Sequence, residues 1–271
     1  MAKKAQMGEP EGRSWKPPSL GCQRLVPLPG DLLTVISGAM DVTRRLDHRF
    51  LWVDKYCIGY DIRETEDQNQ AMELIYGCAE LTIYEAFGEH HNSGLPRVNT
   101  AIRKPQSPAI IQGMQFATTL SHPLSKIMNS KWSTRGWTHQ EAVLSPRRWF
   151  FTEDETYFVC NAMECQESIH VLPENLHKAH KGQYAGEIIL FQPYFYGKRD
   201  RFSNFMEHVR EYTSRNLTKQ TDSLRAFVTI LHKFESCSPP IISLFGLPIV
   251  SDMAVEGFAH ALTWILDRQY N

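Results

Sequence analysis

The sequence has no excess of charge of one sign and no long apolar run, and these two absences exclude several classes of protein. Its 271 residues include 29 basic and 30 acidic side chains, so the formal net charge is -1. A chain balanced in this way has no positive field that would attract nucleic acid or an anionic membrane surface. No apolar run reaches the ~18 residues that a membrane-spanning helix needs. We therefore expect neither a nucleic-acid partner nor a membrane span.

Cysteine is sparse as well, which bears on the compartment and on metal binding. The six cysteines are scattered along the chain, unlike the dense spacing of a disulfide scaffold. Residues 1–18 contain no apolar segment followed by a small-residue cleavage site, so they do not resemble a secretory signal. We expect a cytoplasmic protein whose thiols are mostly buried. Cys160, Cys165 and His170 stand at five-residue steps, which do not match paired zinc-ligand spacings, and no metal site is predicted.

Apolar periodicity divides the chain into three parts. Residues 1–30 are rich in proline and are expected to form an irregular tail. Residues 31–160 alternate helical stripes with short apolar runs at Phe50–Val53 and Leu81–Tyr84, which predicts buried strands of a parallel sheet covered by helices. Residues 161–271 are expected to form a mainly helical extension packed on this core. The predicted fold class is therefore α/β.

The individual elements are predicted from three- and four-residue apolar spacing for helices and from short β-branched or aromatic runs for strands. A hairpin is expected where Arg148–Phe151 and Thr156–Val159 flank a polar turn. The predicted helices cover Asp31–Leu46, Ala71–Tyr76, Lys131–Leu144, Phe202–Tyr212, Asp222–Phe234 and Met253–Leu266.

Three motifs occur in a fixed order along the chain. The first, Leu51–Ile58, contains Trp-Val-Asp followed by Cys-Ile; the second joins Gln70–Ile83 to Ser93–Pro96; the third, Arg135–Glu141, reads Arg-Gly-Trp-Thr-His-Gln-Glu. Together they resemble the fungal heterokaryon incompatibility (HET) domain family, whose most recognisable segment is Arg-Gly-Trp-Thr-x-Gln-Glu. Tyr212–Thr218 is similar to a segment that follows the core in many such proteins.

The resemblance implies a fold like that of Toll/interleukin receptor (TIR) domains, with a flavodoxin-like sheet. It further implies a role in regulated cell death or self/non-self recognition, together with self-association or a second incompatibility protein as partner. Two departures accompany it. Nothing in residues 1–30 matches the family's opening strand, so either Gly21–Pro27 substitutes for it or the gene product is truncated. Gly59 and Tyr60 also replace the family's usual acidic or amide pair.

A catalytic role for Glu141 follows from the same resemblance. Some TIR-like domains cleave the nicotinamide bond of NAD with a glutamate in a Trp-x-x-x-Glu segment, and Trp137 and Glu141 have that spacing. Side chains four residues apart lie on one face of a helix. NAD would then be a substrate, and no bound cofactor is predicted. The structural alternative is a surface carboxylate paired with Arg147 or Arg148.

Four further residues are candidates for nucleotide binding. Asp54 and Tyr56 follow a predicted strand, and ligands of open parallel sheets bind beyond the carboxyl ends of strands. Arg135 precedes a helix start, where a guanidinium would suit a phosphate, and Trp137 offers a ring for stacking. The structural alternatives are a turn cap for Asp54, an ion pair for Arg135 and a core position for Trp137.

The nucleotide hypothesis requires that Glu141 and Asp54 face a common hollow. Three functions stay open on the sequence: an effector that binds or hydrolyses NAD, a non-enzymatic signalling module of the same fold, and an inactive truncated paralogue.

Overall fold

The computed structural model describes residues 27–58, 72–87, 93–98, 108–117, 120–160, 163–168, 201–244 and 247–250. The chain forms two compact units, residues 1–32 and residues 33–271. In the first unit, the described residues 27–32 contain neither helix nor strand. Most of the proline-rich tail, the departure at Gly59 and Tyr60, and the helix predicted over Met253–Leu266 lie outside the described residues.

Seven helices lie within the described residues, most of them where apolar spacing predicts them. They are α1 (Thr34–Arg45), α2 (Asp54–Cys57), α3 (Met72–Cys78), α4 (Pro123–Met128), α5 (Trp137–Leu144), α6 (Arg201–Thr213) and α7 (Val228–Glu235). Helix α1 buries Ile36 and Val42, which belong to its apolar stripe, and also Gly38. The helix predicted over Lys131–Leu144 is divided, because the backbone is extended at Arg135 between a 3-10 turn and α5.

The α/β class is confirmed, and the described sheet is mixed rather than parallel. Its strands follow the order β1 (Thr82–Glu85), β4 (Arg147–Phe151), β5 (Thr156–Cys160) and β6 (Glu164–Gln166). Strands β1 and β4 pair in parallel, whereas the β4–β5 and β5–β6 pairs are antiparallel. The predicted hairpin accounts for the change of direction, because the Thr152 hydroxyl donates to the Glu155 carbonyl at 2.7 Å and closes a tight turn.

The strand predicted over Phe50–Val53 is wrong. These residues form no strand, and Phe50 is 84% exposed. The Trp52 ring packs edge-on against Tyr76 of α3, with 5.8 Å between ring centroids. Trp52 and Ile58 join a small apolar cluster built on α3 and the end of α5. Of this run, Trp52 therefore packs against helices rather than in a sheet, and the chain passes directly into α2.

A single apolar cluster connects the sheet to helices from the middle and the later part of the described chain. It includes Tyr84 of β1, Phe150 of β4, Ala142 of α5, Phe205 of α6 and Ile230 of α7, all with at most 2% of their surface exposed. Burying a side chain of this size contributes about 1.5–3 kcal/mol. Helices that follow residue 200 thus complete the same core as β1 and β4.

A close backbone contact holds the start of α5 against the segment after α6. The Gly136 N–H donates to the Asn216 carbonyl at 2.8 Å, and the Asn216 N–H donates to the Thr134 carbonyl at 2.6 Å. A Cβ atom at Gly136 would stand 2.5 Å from Cδ2 of Leu217 and 2.9 Å from its Cγ. Glycine therefore allows this approach, since any larger residue would have to displace Leu217.

A second, separate hairpin exposes apolar side chains. It consists of β2 (Pro108–Ile111) and β3 (Met114–Ala117), paired antiparallel. Its two-residue turn has positive φ at Gln112 (52°) and Gly113 (78°), as a turn between twisted antiparallel strands favours. Ile110 is 77% exposed. An antiparallel pair β7 (Ile241–Leu244) and β8 (Leu247–Val250) follows α7.

The thiols are less buried than the sequence suggests. No disulfide occurs among the cysteines in the described part of the chain, where Cys57 and Cys78 are exposed and Cys160, Cys165 and Cys237 are half-buried. Cys22 and His170 lie outside the described residues. None of the described helices combines the length and apolar character that a bilayer crossing needs.

Candidate functional site

Helix α5 is fixed to the sheet by hydroxyl groups near its end. The Tyr84 hydroxyl donates to the Glu141 carbonyl at 2.9 Å and lies 2.8 Å from the Ser145 hydroxyl. The Ser145 hydroxyl also lies 2.8 Å from that of Thr82 at the start of β1. These contacts hold the backbone of Glu141 against β1 and so limit where its side chain can lie.

Glu141 is a half-buried residue of α5, and its carboxyl group interacts with Tyr76 of α3. The Tyr76 hydroxyl interacts with it and favours its charged form. The pKa of Glu141 is raised to about 7, chiefly because the carboxyl group is buried and in part because of the negative charge of Asp54. The charges of Arg135 and Arg215 and the Tyr76 hydroxyl act in the opposite direction. Burial likewise raises the pKa of Tyr76, which stays a neutral donor. We call these five residues the Glu141 site.

Asp54 and Tyr56 belong to the short helix α2. Asp54 is exposed, and its Oδ1 accepts a bond from the Lys55 N–H at 2.7 Å. This bond joins adjacent residues, and no side-chain bond caps α2, so the turn cap stays a prediction. The charge of Asp54 also acts on Glu141. Tyr56 is half-buried, with the Lys55 ammonium 5.6 Å from its ring centroid. Cys57, expected inside, is exposed and accepts a bond from the Val53 N–H.

Arg135 and Trp137 lie on either side of the helix start at Gly136. The Arg135 side chain is exposed, and its charge acts on Glu141. Trp137 is half-buried and packs against the main core cluster. The structure therefore brings Asp54, Arg135 and Glu141 into one electrostatic group and directs Trp137 toward the core.

Two members of the site escape reasoning from the sequence. Tyr76 reads only as part of an apolar helical stripe, and Arg215 follows α6, 74 positions after Glu141. Nη1 of Arg215 donates to the Thr138 hydroxyl at 3.0 Å and to the Arg135 carbonyl at 3.4 Å. Burial lowers the pKa of Arg215 to about 10, while the charges of Glu211 and Glu141 raise it. The available signal was the family-like segment Tyr212–Thr218.

The site combines groups that can act on substrate charge. A protected carboxylate can stabilise a positive charge that develops next to it. The two guanidinium groups can bind phosphate or carboxylate oxygens. A cavity of about 330 Å³ lies in another part of the described residues, where α1, β4 and residues 96–98 are among its lining. No residue of the Glu141 site lines it.

The fold and the site define an α/β protein with a protected carboxylate flanked by arginines. Residues 18–141 match the family model described as Heterokaryon incompatibility protein (HET). The resemblance recognised from the three motifs is confirmed over this segment, and it indicates a function related to heterokaryon incompatibility. The comparison with curated proteins gives no match, and neither does the comparison with solved structures.

Proposed function

We propose that the protein is an incompatibility-type cell-death effector that hydrolyses NAD, with Glu141 as the catalytic carboxylate. One observation carries the proposal: the carboxyl of the Arg-Gly-Trp-Thr-His-Gln-Glu segment interacts with the Tyr76 hydroxyl and with the charges of Asp54, Arg135 and Arg215. A carboxyl that served only as a surface ion pair would lie in the solvent instead. The resemblance to NAD-cleaving TIR-like domains supports this choice of substrate.

The reaction needs little more than a fixed negative charge. The bond between ribose C1′ and the nicotinamide nitrogen breaks, and its electron pair neutralises the pyridinium ring, so nicotinamide leaves without a proton. Water then adds to the oxocarbenium-like C1′ and releases a proton, which gives ADP-ribose. Glu141 stabilises the cation. Arg135 and Arg215 are the cationic groups suited to the diphosphate, while Trp137 supports α5 from the core.

The proposal is tested by nicotinamide release from NAD at high protein concentration, because we also propose that the effector acts when self-associated. Glu141→Gln keeps the shape and removes the charge, and we expect a loss of about 10²–10³-fold in rate. The matched control is Glu164→Gln on β6, another carboxyl whose pKa burial raises to about 7. It should keep wild-type activity. Equal rates for wild type and Glu141→Gln would refute the catalytic role.

A non-enzymatic signalling module is the second candidate. Two observations favour it. Trp137 packs against the core, and Glu141 does not line the cavity of about 330 Å³ in the described part of the chain. In that case the Glu141 site would serve only to join α2, α3 and α5. Wild-type protein that leaves NAD intact but still kills host cells on expression would decide for this candidate.

A further inference from the structure

Two buried histidines and a glutamate meet where α5 packs on α6. His139 is completely buried and His208 is 1% exposed, whereas the Glu211 side chain is 28% exposed. Nδ1 of His139 lies 3.7 Å from Oε2 of Glu211. One potential ligand atom from each of the three residues lies within 4.8 Å of the other two. The cluster is thus closed on the core side and open at the carboxylate.

The helices hold these side chains in a defined arrangement. His208 and Glu211 are three residues apart on α6, so they project from one face. His139 comes from α5, whose start is fixed to the chain after α6 by the Gly136 and Asn216 backbone bonds. Aromatic rings line the inner side, with 5.7 Å between the His208 and Phe234 centroids. The imidazoles therefore have little freedom to turn away from each other.

We propose that His139, His208 and Glu211 form a binding site for a divalent transition-metal ion of the zinc type. Two imidazoles and one carboxylate are a common zinc donor set. Zinc bonds of about 2.0–2.2 Å place tetrahedral donors about 3.3–3.6 Å apart. The His139 to Glu211 distance already approaches this value, and the widest pair must close by about 1 Å, a modest side-chain rotation. Three protein ligands leave a fourth position for water or another ligand.

The site is a property of this chain and is independent of the NAD reaction. His139 occupies the variable position of the Arg-Gly-Trp-Thr-x-Gln-Glu segment, so the family resemblance does not supply it. Neighbouring cations oppose the metal: the charge of Arg215 acts on both Glu211 and His139, and that of Arg210 acts on Glu211. A metal ion must compete with these guanidinium groups for the carboxylate. Removing the Arg215 charge should consequently strengthen metal binding.

Metal binding is measured on the full chain after treatment with a chelator and dialysis. Zn²⁺ is titrated by calorimetry, and Co²⁺ is used as a visible-absorption probe of four-coordinate geometry. We expect one ion per chain and a higher melting temperature in its presence. Glu211→Gln should weaken binding by more than about 10–100-fold, the range typical for loss of a group that only hydrogen-bonds to a metal ligand. Arg215→Gln should tighten it.

The matched control is Glu207→Gln, one helical turn earlier on α6 and similar in exposure, at 34% for the Glu207 side chain. It removes a neighbouring charge that acts on Glu211 but no ligand, so it should weaken binding far less than Glu211→Gln does. Because Glu211 lies at the rim of the cluster, Glu211→Gln should fold, which its unfolding curve in metal-free buffer verifies. Absence of one-to-one binding would overturn the proposal, and so would equal affinities of the Glu211→Gln and Glu207→Gln variants. None of these readouts depends on NAD cleavage.

Discussion

Replacing Gly136 with alanine tests why the Arg-Gly-Trp segment contains a glycine. The backbone of Gly136 has φ -60° and ψ -46°, which alanine adopts freely, so the conformation itself does not demand glycine. Taken alone, the loss of unfolded-state freedom would stabilise the alanine variant by about 0.4–1 kcal/mol. Space is what opposes it, since the new Cβ would stand 2.5 Å and 2.9 Å from two atoms of Leu217.

The size of the effect follows from these two contributions. Forcing a methyl group into a packed site costs about 1–3 kcal/mol, so we expect Gly136→Ala to lower the free energy of unfolding by about 1–2 kcal/mol. Urea denaturation measures it as a lower midpoint with an unchanged slope. In a Leu217→Ala background the obstructing atoms are gone, and the same substitution should be neutral or stabilising. The coupling between the two sites should be at least about 1 kcal/mol.

The double-mutant cycle provides the refutation. If Gly136→Ala destabilises the protein equally with leucine and with alanine at position 217, the close approach to Leu217 is not the reason for the glycine. A changed denaturation slope in the single variant would instead point to an altered unfolded state.

Two further predictions concern stability away from the Glu141 site. Burial raises the pKa of Glu85 to about 7, against a lowering effect of the Phe87 backbone. The folded state therefore keeps the carboxyl group protonated between about pH 4.5 and 7, where the unfolded state has lost the proton. The free energy of unfolding falls as pH rises through that interval. The free energy of unfolding of Glu85→Gln, measured by urea titration relative to wild type, should rise by about 2 kcal/mol from pH 5 to pH 8 after allowance for solvent screening. A difference between the two proteins that does not change with pH would contradict this. Gly113→Ala should lower the free energy of unfolding by about 1 kcal/mol, because an alanine is strained at the φ of +78° that Gly113 adopts in open space. An unchanged denaturation midpoint would argue against that conformation.

Local patterns were sufficient where one face of an element decides its environment. The stripe of α1 and the aromatic runs of β4 and β5 are short-range signals, and all three elements occur where they were predicted. The run Phe50–Val53 misled because a short apolar segment fits a buried strand and a helix-packed segment equally well. Its destination depends on Trp52 meeting Tyr76, a contact between separate parts of the chain that no window on the sequence contains.

The same limit applies to the candidate site. Glu141, Asp54 and Arg135 were found because motifs carry them, and the structure brings their charges together. Tyr76 and Arg215 reach Glu141 only through the packing of α3 and of the chain after α6. A residue that contributes through a tertiary contact leaves no pattern of spacing in the sequence. For Arg215 the sequence offered only the family-like segment Tyr212–Thr218, to which no role was assigned.

The matched segment stops at Glu141, in the middle of α5, whereas β1 finds its parallel partner in β4, which begins at Arg147. A fragment that ends at residue 141 would lack β4 and Arg215. Its β1 would have an unpaired edge, and Glu141 would lose the effect of the Arg215 charge. Anyone who wishes to transplant this domain into another protein, or to exchange it between relatives, should therefore carry the polypeptide at least through α7.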